Sequence, residues 1–164
     1  MPNLKNLSFL FFIIAISSNV LFSQNFLKTS GRNIINHNGD TIVLRGMGLG
    51  GWMVQEGYMM APGGFSGTQF QIRDNITDLI GEEETEKFYN KWLNNHVRKI
   101  DIDSMKAWGF NLVRVPIHYN LFTKPIEEET FPGSYTNIEK GYTLLDSLLE
   151  WCKVNEIYMM IDLH

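Results

Sequence analysis

Six side chains have the type and placing to do chemistry on a polar ligand: Glu56, Tyr58, Arg114, His118, Asp162 and His164. Each follows, interrupts or ends an apolar run with the look of a β-strand. Parallel α/β sheets and barrels bind ligands outside the carboxyl ends of their strands, so polar groups delivered there by several strands converge. Arg114 lies inside Val113-Arg114-Val115, where a guanidinium must find a carboxylate. That carboxylate is either a structural partner or a catalytic group, and both roles can coexist. Asp162 and His164 alternate on one strand and can face the same way. A histidine on an apolar strand is often a satisfied core residue; at the last position of such a strand, His164 reads as a ligand contact.

Other chemistries fit less well. Gly46, Gly48 and Gly51 satisfy G-x-G-x-x-G, but no helix start follows at once, and the next strand begins about 60 residues on where a nucleotide-binding unit needs roughly 30. Those glycines instead suit a tight backbone turn beneath a ligand or a packed tryptophan. Asp162 and His164 are too few for zinc, and His37, His96 and His118 have no ligand spacing, so neither a metal nor any other cofactor is expected. No G-x-S-x-G elbow occurs, and the lone Cys152 rules out an intrachain disulfide framework. Asn75-Ile76-Thr77 is a glycosylation sequon, meaningful only in a eukaryotic secretory pathway.

The elements that must position these residues alternate. Asn33–Asn36 and Thr41–Leu44 flank Asn38-Gly39 and predict a hairpin. A short glycine-rich strand follows through Arg45–Gly51, then a long irregular stretch over 52–80 with Pro62, Gly63, Gly64 and Gly67. Phe88, Trp92 and Val97 share a helical face behind the acidic start Glu82-Glu83-Glu84. A short helix carries Met105 and Trp108, starts near Asp103 or Ser104 and stops at Gly109. Asn111–Pro116 predicts a buried strand closed by proline, Ile138–Val154 a helix with Tyr142, Leu145, Leu149 and Cys152 inward, and Ile157–His164 a third strand. Helices between apolar strands imply a parallel sheet covered by helices. A domain boundary belongs in an exposed linker rather than at a strand end. The chain therefore reads as the front part of a larger α/β domain.

Residues 1–23 have the layout of a secretory signal: Lys5, an apolar run from Leu7 to Ile16, then Ser17, Ser18 and Asn19 before the small Ser23. Ten residues of helix span about 15 Å, half of a bilayer core of roughly 30 Å. The expected product is residues 24–164, exported to the periplasm or the extracellular space, with no membrane attachment after the signal is removed. Losing Lys5 takes 14 basic residues to 13 against 18 acids, a net charge of −5 with no footprint for nucleic acid.

Three stretches, Leu44–Trp52 (LRGMGLGGW), Trp108–Ile117 (WGFNLVRVPI) and Ile161–His164 (IDLH), resemble glycoside hydrolase family 5, the cellulase-like (β/α)8 barrels. Gly50–Tyr58 (GGWMVQEGY) looks most like its exo-β-1,3-glucanase branch. The resemblance implies an α/β fold, the N-terminal part of a (β/α)8 TIM barrel with about the first three βα units preceded by a short β-hairpin. It implies a retaining β-glycan hydrolase acting as a monomer on a polysaccharide or oligosaccharide. Arg114 then matches the arginine that orients the nucleophile, while Glu56, Tyr58 and His164 match substrate contacts. The two catalytic glutamates belong to strands four and seven, beyond His164, so the chain alone is expected to be inactive. A carbohydrate-binding pseudoenzyme of the same fold is the alternative, and a complete chain that binds a partner through its open sheet is another.

Overall fold

The structure is a computed structural model that describes residues 26–60 and 67–164. The expected signal at 1–23 lies outside the described residues. Two compact units are present, one running to Val43 and the other Leu44–His164.

In the first unit, β1 (Lys28–Ser30) pairs antiparallel with β2 (Asn33–Ile35) across Gly31 and Arg32. The hairpin predicted between 33–36 and 41–44 is reduced to a single bridge, Ile35 to Thr41. Its turn is nonetheless specified locally. The Asn36 side-chain oxygen accepts from the backbone N–H of Asn38 and of Asp40, each at 2.9 Å, a side-chain substitute for further ladder bonds.

The second unit holds a parallel sheet ordered β3 (Gly46–Gly48), β4 (Leu112–Ile117), β5 (Tyr158–Leu163). Between them run α1 (Gly57–Met60), α2 (Gln69–Ile80), α3 (Glu82–Asn95), α4 (Lys99–Ala107) and, after two 3-10 turns, α5 (Glu139–Val154). Val113 and Val115 on one face of β4 are fully buried against Ile102 and Met105 of α4 and Leu148 and Cys152 of α5. Each such aliphatic side chain contributes about 1.5–3 kcal/mol on burial. Alternation along the strand sends Arg114 to the opposite face.

Several boundaries differ from the sequence reading. The stretch over 52–80 is not one irregular loop, because α1 and α2 occupy much of it. Thr68 caps α2 by accepting from Gln71 N–H, while the Gln71 side chain accepts from Thr68 N–H, a reciprocal pair that fixes the helix start. Helix α4 begins at Lys99 rather than near Asp103, since Asp101 accepts from the Arg98 N–H at 2.8 Å. Its stop at Gly109 is as predicted, with φ at +84°. Pro116 does not close β4, which continues to Ile117. β3 pairs only as far as Arg114, so the proline, with no N–H to give, falls beyond the end of that neighbour. On α5 the buried stripe is Gly141, Leu148 and Cys152; Tyr142 and Leu149 are about half exposed.

Candidate active site

The carboxyl ends of β3, β4 and β5 lie side by side, and the parallel register sets what they present. Arg114 pairs with Met160 and Pro116 with Asp162, so Asp162 sits one pleat beyond Arg114 on the neighbouring strand. His164 follows, its backbone N–H donating to Ile117 O at 3.0 Å. After β3 the chain turns through Gly51, whose φ of +74° suits a residue without a Cβ. Trp52 then anchors the segment: it is 2% exposed and its Nε1 donates to Leu93 O at 2.8 Å. Trp92 ties down the same turn from α3, donating from Nε1 to Gly51 O at 2.8 Å. Met53 rejoins β4 through a parallel bridge to Ile117, which delivers Glu56 and Tyr58 to the sheet's end.

The result is one connected cluster. The Tyr58 hydroxyl donates to Glu56 Oε2 at 3.2 Å. Glu56 Oε1 lies 3.5 Å from His164 Nε2, and Asp162 Oδ2 lies 3.5 Å from His164 Nδ1. Asp162 Oδ2 also accepts from Arg114 Nη2. The structure thus brings Glu56, Tyr58, Arg114 and His164 together. Partial desolvation, then the Glu56 carboxylate that takes its hydrogen bond, hold the Tyr58 phenol above its ordinary value, against an opposing pull from Arg114. Arg114 and His164 are each a little over two-fifths exposed, Asp162 a third and Glu56 a quarter. A cation, two carboxylates, an imidazole and a phenol on an accessible face offer donors and acceptors in the density that a polyhydroxylic ligand needs.

His118, expected among the strand-end groups, is placed differently. His118 Nδ1 lies 3.3 Å from Gln69 Nε2 and 2.9 Å from Asn120 Oδ1, and Phe70 packs edge-on against its ring at 5.5 Å. Phe70 thus packs against His118 while remaining 40% exposed, Tyr58 is 74% exposed, and Phe65 lies outside the described residues. His96 sits at the end of α3, exposed and stacked on Trp92, as a helix-surface residue would.

The sequence reading missed that Asp162 is the carboxylate Arg114 requires. The pairing follows from the strand register: with Pro116 opposite Asp162, Arg114 and Asp162 lie on one face of the sheet. Among the described residues, no three His, Cys, Asp or Glu are grouped to hold a metal ion.

Comparison with known proteins identifies the family. The family model for cellulase (glycosyl hydrolase family 5) matches residues 66–164. A β-xylosidase of Phanerodontia chrysosporium is 33% identical over 139 residues, which is 85% of this chain and 27% of that protein. Glucan 1,3-beta-glucosidase 2 of Candida albicans is 30% identical over 151 residues, 86% of this chain and 30% of that protein. The chain thus spans under a third of the length of these curated relatives. The crystal structure of a rutinosidase from Aspergillus niger superposes with a TM-score of 0.51 at 19% identity, covering 71% of this chain and 31% of that one. That likeness carries the fold, part of a TIM barrel. The family match extends over more than half of the sequence, and on it the chain belongs to glycosyl hydrolase family 5.

Proposed function

We propose that this chain is the N-terminal portion of a secreted, retaining β-glycan hydrolase, with residues 1–23 as its signal peptide and 24–164 supplying the hairpin and the first three βα units of the barrel. The observation that carries the reading is the meeting of Glu56, Arg114 and His164 at the ends of three adjacent parallel strands. Relatives named for β-xylosidase and glucan 1,3-β-glucosidase activity support a β-linked polysaccharide or oligosaccharide as substrate.

The roles follow from the chemistry. Retaining hydrolysis needs two carboxyl groups about 5 Å apart, one neutral and one ionised. Arg114 keeps the ionised one charged, because a neighbouring cation lowers a carboxyl pKa. Asp162 occupies the Nη2 side of the guanidinium, and a planar fork with five N–H donors has further donors to turn toward that nucleophile. Glu56 and His164 bond sugar hydroxyls, contacts that tighten as the oxocarbenium-like transition state forms. Tyr58, hydrogen-bonded to Glu56, orients that carboxylate and offers a ring face to the pyranose.

The test is hydrolysis of a soluble β-glucan by the full-length protein, with the anomer of the first product followed by proton NMR. The β-anomer is expected. An α-anomer would refute retention, and sugar binding without turnover would turn the reading to a pseudoenzyme.

A further inference from the structure

The residue before Glu56 is held from two helices at once. Gln55 is 5% exposed, and a buried backbone N–H needs an acceptor. It finds one in a side chain: the Gln55 N–H donates to Gln69 Oε1 at 2.9 Å. From α3 the Tyr89 hydroxyl donates to Gln55 Oε1 at 2.7 Å. On the other side of Glu56, the Met59 N–H donates to the Glu56 carbonyl at 2.9 Å as α1 begins. Glu56 thus stands between a tethered residue and a helical turn.

Gln69 is itself firmly seated. It is the first residue of α2, directly after the Thr68 cap that fixes the helix start. A backbone N–H can only donate, so the carboxamide atom facing Gln55 is the oxygen, and Nε2 is left for His118, whose Nδ1 lies 3.3 Å away. His118 is fastened to the end of β4. Its N–H donates to Met53 O at 3.2 Å, and its ring packs against Phe70 and Tyr119 with centroids 5.5 and 4.5 Å away. One side chain therefore links the start of α2, the segment after β3 and the end of β4. The last two carry Glu56 and Arg114.

We infer that Gln69 is a positioning residue that holds Glu56 in the strand-end cluster, where its carboxylate meets Tyr58 and His164. It acts through the backbone of Gln55, not through contact with a sugar. The inference rests on the proposed function for what Glu56 then does to the substrate.

Kinetics of the full-length protein on soluble β-glucan, with hydrogen–deuterium exchange over 54–57, test it. Gln69→Met fills the same space with neither donor nor acceptor. It should lower kcat about tenfold and move KM less than about twofold, because the Glu56 contact matters most in the transition state. Exchange over 54–57 should quicken about tenfold, the worth of one hydrogen bond. Gln69→Glu keeps an acceptor for the Gln55 N–H, so kcat should return to within about threefold of the parent and exchange to the parent rate. On a Glu56→Ala background, Gln69→Met should cost less than about twofold more, since residues that act through one another are not additive. Parent-like kcat or exchange in Gln69→Met, an equal loss in Gln69→Glu, or an undiminished loss on Glu56→Ala would overturn the inference. A Glu56→Ala protein as active as the parent, or a parent without turnover, would count against the proposed function; the exchange rates of Gln69→Met and Gln69→Glu then decide this inference by themselves. Should Gln69→Met fail to fold, Gln69→Ser, too short to reach Gln55, takes its place with the same expectations.

Discussion

Replacing Asp162 by Asn probes how the cluster is held. The side chain keeps its shape and one acceptor for Arg114 but loses the charge that faces both Arg114 Nη2 and His164 Nδ1. Two unit charges about 4 Å apart interact by ~4 kcal/mol at an effective dielectric near 20. With Arg114 43% and Asp162 33% exposed, water screens most of that, and the stability loss should be about 1 kcal/mol. Activity should suffer more. Asp162 fixes the guanidinium and the imidazole together, and misplacing catalytic groups by about 1 Å costs on the order of a hundredfold in rate. The expectation for D162N in the full-length protein is a kcat/KM on soluble β-glucan lower by roughly tenfold to a hundredfold, about 1.4–2.7 kcal/mol of transition-state stabilisation. Urea denaturation of the same preparations gives the stability term. An activity loss in excess of the stability loss would mark Asp162 as a positioning residue. A kcat/KM within twofold of the parent would refute this argument. So would a destabilisation of several kcal/mol that accounts for the lost activity by itself.

Other substitutions and titrations test the scaffold. Leu148→Ala, at a fully buried position between α5 and the sheet, should cost about 2–5 kcal/mol in denaturant unfolding, since the wall relaxes only partly around the cavity. The Cys152 thiol, 1% exposed and pushed by burial up to about 11, should react with a disulfide reagent at pH 8 only after unfolding; fast labelling of the native protein would contradict its placing. Burial first, then the charge of Asp74, push the Tyr89 phenol up to about 12, against Arg73 and the hydrogen bond to Gln55. A phenol raised in the folded state stabilises fully below its ordinary value near 10 and loses that contribution as pH climbs toward 12. Absorbance titration should show one late tyrosinate fewer in Tyr89→Phe than in the parent.

The sequence was most legible where pattern and position agreed. NLVRVP is apolar on alternate residues with a cation between, and it forms the central strand. Gly109 after an apolar helix, with positive φ, stops α4 as composition suggests. The helix over Gln69–Ile80 was hidden for a physical reason: Ile72 is its one buried residue, so the apolar periodicity is faint. Its start was written locally in Thr68-Gln69-Phe70-Gln71, a capping box that hydrophobic patterning does not register. The inward face of α5 was misjudged by about one position, because Tyr142 and Leu149 are apolar in type yet lie at the edge of the contact, while Gly141 lies in it. A Cβ on Gly141 would come within 2.7 Å of Leu121 O, so only the smallest residue lets the helix approach that turn.

The cluster was legible residue by residue, since strand ends are where polar groups collect in parallel sheets. Its wiring was not. That Asp162 bridges Arg114 and His164 depends on the register of β4 against β5, which one sequence does not display. The carboxamide links of Gln55 to Tyr89 and of Gln69 to His118 join residues 34 and 49 positions apart and need the packed fold.

The central claim is that Glu56, Arg114 and His164 face a single sugar. A crystal structure of the full-length protein with laminaribiose tests it most directly. The account predicts a glucose ring with hydroxyls about 2.6–3.2 Å from the Glu56 carboxylate and from His164, and Arg114 directed at a carboxylate beneath the ring. A sugar bound with none of these contacts, or the three side chains turned to separate surroundings, would contradict it.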